Sequence, residues 1–296
     1  MRIWDWTRKR TWRTAGVAVA ALLAILVTPV LLAEPRLDRK WVDNLAHMPN
    51  VQLSPGAFAL DHVADWSYTS AGPDKWDVTA FANTFDNLRD VWFVVEPQPG
   101  GEYAAHTLIL FEFGGDRIVG LTVEARLEQG ETYDAVAGAF NRYELSYIWA
   151  TARELLTRRV TFLDKAVYVY PLQLDESQKR NFLHLLLEGT RDVATQARFY
   201  NTITSNCTNE LAKVAGLGWH YSWVLTGYSP QRLYELNLIP GETFESAKQS
   251  ALLKAEIASW NDLTSRDFDQ ALLAELRRRH GSGCSRTGLG DCAPPT

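Results

Sequence analysis

Cysteine is scarce in this chain: three residues in 296, at positions 207, 284 and 292. No two of them stand at zinc-ligand spacing, and the six histidines (47, 62, 106, 184, 220 and 280) form no repeated short spacing either. There is no Walker-type phosphate loop and no Gly-x-Gly-x-x-Gly, so neither a metal nor a cofactor is implied. No repeat of fixed period runs through the chain, which argues against a solenoid. Positive charge is in short supply beyond residue 33, where 25 basic residues face 34 acidic ones, a net of about −9. That balance excludes a nucleic-acid partner.

Acid is nearly missing from the first 33 residues: Asp5 stands alone against Arg2, Arg8, Lys9, Arg10 and Arg13, and 15–33 carry no charge at all. Nineteen residues at about 1.5 Å each match the ~30 Å hydrocarbon thickness, whereas a signal-peptide core is usually about 7–15 residues. A retained inner-membrane helix is therefore expected, its basic flank cytoplasmic and everything after Glu34 exported to the periplasm. The "PVLLAEP" stretch offers Ala33 as a cleavage point, which leaves processing open. In such a compartment Cys284 and Cys292 of the tail "GSGCSRTGLGDCAPPT" could pair, or the tail could simply be disordered.

The remaining 46% hydrophobic, 22% charged composition is that of a globular protein. Residues 34–89 read as an irregular extension broken by turn residues. The runs "DVWFVVEP", "HTLILFEF", "RIVGLTVEARLE", "TRRVTFL" and "AVYVYPL" read as strands. Helix-compatible stretches lie in "DAVAGAFNRYELSYIWATARELL", firmest over 150–156. After Pro171 the pattern turns helical. Asp175 and Gln178 make a capping box ahead of Phe182, Leu183, Leu186 and Leu187, a second helix runs from Asn206 to Gly216, and others lie within 244–260 and from Ser265, as N-cap, to His280. The fold class is α+β, with an antiparallel sheet packed against helices. The division expected is 1–33 anchor or signal, 34–89 extension, 90–263 catalytic domain, 264–280 terminal helix and 281–296 flexible tail.

In "YNTITSNCTNEL", Cys207 falls in the first turn of a helix, where unsatisfied N–H groups and the helix dipole favour a thiolate. Taken alone it is more often a small buried hydrophobe. A nucleophilic thiol needs a base. His106 is the histidine that opens a strand, and a three-residue turn at 114–116 makes the apolar faces of the two hairpin strands coincide. That register pairs Ile109 with Leu121 and puts His106 opposite Glu124, with Cβ atoms about 5 Å apart. Glu124 could then orient the imidazole, although Arg126, two residues on along the same face, could claim the carboxylate instead.

The segments "AHTLILFEF", "VEARLEQGETY", "RYELSYIWATARELL" and "YNTITSNCTNEL", in this order over about 66–216, resemble the N-terminal periplasmic domain of the Lnb-type lipoprotein N-acyltransferases. That family is similar to the permuted papain-like proteins and to NlpC-type cell-wall peptidases, in which a histidine strand precedes the cysteine helix. The resemblance implies a permuted papain-like core with Cys207 as nucleophile, His106 as base and Glu124 as orienter. Arg126, Glu131, Asn201 and Asn206 fall in the matching segments as candidate supporting or substrate-binding residues. The implied activity is that of a membrane-tethered acyltransferase or hydrolase acting on an ester or amide of a lipid or lipoprotein through a thioester. A cell-wall peptide amidase and a non-catalytic periplasmic adaptor are the alternatives. Two other features read more simply: the aromatic cluster around His220 as core rather than the wall of an acyl site, and Arg158 and Arg159 as a solvated strand end rather than a carboxylate or phosphate contact.

Overall fold

The computed structural model describes residues 32–99 and 101–281, together with Val17, Ala20, Ala21, Thr28 and Val30. The expected membrane helix over 15–33 lies mostly outside the described residues, and the Cys284–Cys292 pair lies wholly outside them. Among the described residues no helix is long and apolar enough to cross a membrane.

The sheet is assembled from β1 (Val51–Ser54), β2 (Ala57–Thr69), β3 (Gly72–Thr84), β4 (Leu88–Pro97), β5 (Ala105–Phe113), β6 (Arg117–Arg126), β7 (Glu144–Ala150) and β8 (Tyr168–Pro171). Its order is β1-β2-β7-β6-β5-β4-β8, with β3 paired to β2. The central hairpin forms in the predicted register: residues 114–116 connect β5 to β6, and Ile109 pairs with Leu121. Gly115 (φ 79°) and Asp116 (φ 53°) supply the left-handed conformations the tight turn requires.

Three expectations are corrected. Residues 34–89 are not irregular, because β2 and β3 form a 13-residue antiparallel ribbon. Most of β3 is exposed on both faces, so it carries no apolar alternation by which to recognise it. The run "ELSYIWA" is a strand, β7, buried at every position, and again no alternation marks it. "TRRVTFL" is not a strand. Helix α2 follows α1 (Ala135–Ala139), spans Ala152–Thr157, and widens into a π-helical turn over Arg158–Phe162. The β-branched and aromatic residues of that turn gave it a strand-like composition.

Helix α3 (Glu176–Thr195) starts on the predicted capping box, with both reciprocal bonds of Asp175 and Gln178 present. It lays Phe182, Leu183, Leu186 and Leu187 against the sheet, each burial worth roughly 1.5–3 kcal/mol. Then come α4 (Cys207–Val214), α5 (Ser229–Glu235), α6 (Phe244–Ala251), α7 (Lys254–Ser259) and α8 (Ser265–His280). Thr264, rather than Ser265, caps α8 by accepting from Asp267 N.

Both faces of the sheet are buried, where the hairpin pattern had suggested one. Ile109, Phe111, Leu121 and Val123 face α3 and α4. Leu108, Leu110 and Ile118 pack with Leu155, Leu156, Phe268, Leu272 and Leu276 of α2 and α8. Segments 34–89 and 264–280 thus belong to the same packed unit as 90–263.

Candidate functional site

Cys207 opens α4 and is buried, 4% exposed. Asn206 is the N-cap: its side chain accepts from Asn209 N (2.8 Å) and donates to the carbonyls of Thr202 and Trp223 (2.8 Å each). Four residues into the helix, Glu210 accepts from Tyr147 Oη (2.9 Å), Ser205 Oγ (2.6 Å) and Lys213 Nζ (2.7 Å), which ties α4 to β7. Thr107 Oγ1 and Thr208 Oγ1, 2.9 Å apart and buried, fasten the start of α4 to β5. These contacts fix the thiol beside the first residues of β5, the strand that carries His106.

The two side chains lie close enough for each to shift the other's ionisation. The other side of the ring faces β6, with Nε2 2.7 Å from Thr122 Oγ1 and 3.1 Å from Glu124 Oε1. Thr122 Oγ1 also donates to Glu124 Oε1 at 2.7 Å.

The electrostatics follow from this geometry. Burial alone would lower the His106 pKa, but the Glu124 carboxylate and the Cys207 sulfur outweigh it and push it up to about 10. Burial would likewise raise the Cys207 thiol, yet the neighbouring imidazolium and the Thr107 N–H bring it below its ordinary value. Glu124, which burial would raise, is held at about 2 by His106, Arg159 and Thr122. The arrangement favours a thiolate–imidazolium pair, the reactive form of a cysteine. The His106 and Glu124 side chains keep 17% and 24% exposure, so the group opens to the surface.

Arg126 does not pair with Glu124. Its guanidinium donates to the carbonyls of Leu45 (2.8 Å) and Ala46 (2.5 Å) and stacks on Trp41, fastening the N-terminal segment to β6. Asn201 shapes the loop ahead of α4, donating to Ala139 O (3.0 Å) and Asn141 Oδ1 (2.9 Å) and accepting from Ile203 N and Thr204 N. Glu131 binds Arg142 and Glu128 N, away from the thiol.

Sequence reasoning missed the support behind Glu124. Arg159 is not a solvated strand end: it is 1% exposed, with Nε 3.0 Å from Glu96 Oε2 and an Nη 3.7 Å from Glu124 Oε1. Thr122 was also missed, although its place two residues before Glu124 on the same strand face was the available signal. The aromatic segment near His220 is split, with Trp223 buried and Trp219 and Tyr221 exposed.

An apolar pocket of about 170 Å³, open on one side, lies against α4. Phe93, Ile109, Phe182, Leu211, Ala212 and Trp223 line it, as does Thr208, whose hydroxyl is 3.8 Å from Cys207 Sγ.

A cysteine at a helix start, a histidine on the adjoining strand and a carboxylate across the hairpin define the class of site: a Cys-His-Glu cluster, partly open to the surface, in a mixed α+β domain. Residues 75–218 match the family described as the Lnb N-terminal periplasmic domain, the family the four segments resemble. No curated protein and no solved structure matches the chain significantly.

Proposed function

We propose that the protein is a membrane-tethered periplasmic thiol acyltransferase or hydrolase of permuted papain-like architecture, acting on an ester or amide of a lipid or lipoprotein. The observation that carries this reading is the convergence of Cys207, His106 and Glu124 from three separate elements. In the first step Cys207 Sγ attacks the acyl carbonyl; the carbon–sulfur bond forms, the bond to the leaving oxygen or nitrogen breaks, and imidazolium His106 gives that atom its proton. In the second step water or an amine attacks the thioester, His106 takes its proton, and the thiolate is released. The N–H of Cys207, in the first helical turn, has no intrahelical acceptor and is a donor for the developing oxyanion. Glu124 keeps the ring oriented and stabilises its charged form.

The cavity beside Thr208 favours an acyl chain over a peptide, because its walls are mostly hydrocarbon. An apolar cavity of about 150 Å³ admits benzene, so this pocket has room for about six carbons of a chain. The test is acylation by activated esters of increasing chain length, read as a hydroxylamine-labile mass increase on Cys207. Wild type should acylate, and faster with longer chains; Cys207→Ala should not acylate. Ala212→Phe, which fills the cavity, should remove the chain-length preference while retaining acetylation. Absence of a thioester at Cys207 with every chain length would refute the reading.

A further inference from the structure

The end of the sheet that holds His106 is ringed by exposed apolar side chains. Val136 and Phe140 project from α1 with 69% and 58% exposure, Ile203 from the loop before Cys207, and Trp219 and Tyr221 from the segment after α4; Trp219 is 78% exposed. These pieces are fastened to one another. Thr202 Oγ1 donates to Ala135 O (2.8 Å), Asn206 and Asn209 both donate to Trp223 O (2.8 and 3.0 Å), and Gly227 N donates to Tyr103 O (3.0 Å). The contact at Gly227 is so close that a Cβ there would lie 1.9 Å from Glu102 O. The rim is therefore a built surface. It is also uncharged in sequence: 135–141, 199–209 and 214–231 contain no Asp, Glu, Lys or Arg.

The chain's N-terminal side arrives at this same end. Arg36 N donates to Glu144 Oε1 (3.0 Å) at the start of β7, Val42 N donates to Leu127 O (3.0 Å) just past the end of β6, and Arg126 holds the carbonyls of Leu45 and Ala46. Residues 36–46, which follow the nineteen uncharged residues 15–33 in sequence, thus lie at the rim's end of the sheet. We infer that the rim is a membrane-docking surface, which seats the opening of the Cys207 site on the bilayer interface. Tryptophan and tyrosine on an uncharged apolar patch suit the headgroup region. Because the three segments that bear the exposed apolar side chains carry no fixed charge, the contact requires no anionic lipid.

The inference deepens the acyl-transfer reading, and the contact is measured independently of it. The full chain is reconstituted into vesicles of phosphatidylcholine with ordinary or brominated acyl chains. The emission of Trp219 is taken as the difference between wild type and Trp219→Phe, since ten other tryptophans are present. Trp76, 63% exposed on β3 and remote from the rim, gives the control difference with Trp76→Phe. The result expected is loss of at least half of the Trp219 emission in brominated vesicles, unchanged in 0.5 M salt (roughly 4 Å screening length), with Trp76 unaffected. Equal Trp219 emission in the two vesicles, whether the residue faces water or a protein partner, overturns the proposal. Acylation of Cys207 by a soluble ester in detergent reports separately on the chemistry, so the two failures are distinguishable.

Discussion

Replacing His106 by alanine isolates the electrostatic claim at the centre of the site. An ordinary cysteine has a pKa near 8.5, so about 3% of it is thiolate at pH 7. In the native site the imidazolium and the Thr107 N–H hold Cys207 below its usual value against the opposing effect of burial. Its alkylation at pH 7 should therefore run faster than that of an ordinary thiol, with about 30-fold, or about 2 kcal/mol, the ceiling set by full ionisation. In His106→Ala the burial remains and its principal compensation is gone, so the thiolate should fall to roughly 3% or less and the rate should drop below that of an ordinary thiol. The assay is the second-order rate of iodoacetamide reaction between pH 5 and 10, in a Cys284→Ser, Cys292→Ser background with Cys207→Ala as blank. The wild-type midpoint should lie well below that of the variant. Coincident pH profiles in folded wild type and variant would refute the ion-pair argument.

Further outcomes follow from the groups behind the thiol. Glu124→Gln removes the carboxylate that raises His106, so the alkaline limb of Cys207 acylation should move to lower pH and alkylation at pH 7 should fall about tenfold. Arg159→Leu leaves the buried Glu96 carboxylate without its cation and should lower stability by about 3–5 kcal/mol, measured by urea unfolding; Glu96→Gln in the same background should recover part of the loss. Asp269 is a separate buried acid. One oxygen accepts from Ile118 N (2.9 Å), the other has no partner, and burial raises the group to about 7 despite that bond. The folded state therefore binds more protons than the unfolded state between about pH 4 and 7, and stability should fall as pH rises through that window. Asp269→Asn should flatten the dependence and give a higher urea midpoint at pH 8, by an amount of order 2–4 kcal/mol. An unchanged pH dependence would contradict the assignment.

The core of the candidate site was legible because each piece of it follows a local rule. The capping pattern placed Asn206 and Cys207 at a helix start, and the need for apolar faces to coincide set the β5–β6 register that brings His106 to Glu124. What escaped depends on contacts remote in sequence. Arg159 sits 35 positions from Glu124 and 63 from Glu96, and the π-helical turn that aims it inward was read as a strand. Arg126 shares a strand face with Glu124, but the carbonyls of Leu45 and Ala46 compete for it from a segment taken to be irregular. Strand β7 could not be found by alternation because helices or strands cover it on both sides.

The family match stops at residue 218, yet the sheet does not stop there. Phe268, Leu272, Leu273 and Leu276 of α8 cover the face on which Leu108 and Leu110 lie, and β2 begins eighteen residues before the match does. Cutting the chain at the limits of family likeness would strip one side of the sheet and leave the thiol half of the site attached to an uncovered wall. Kinship and foldability thus have different borders in this molecule, and an expressible fragment has to follow the second.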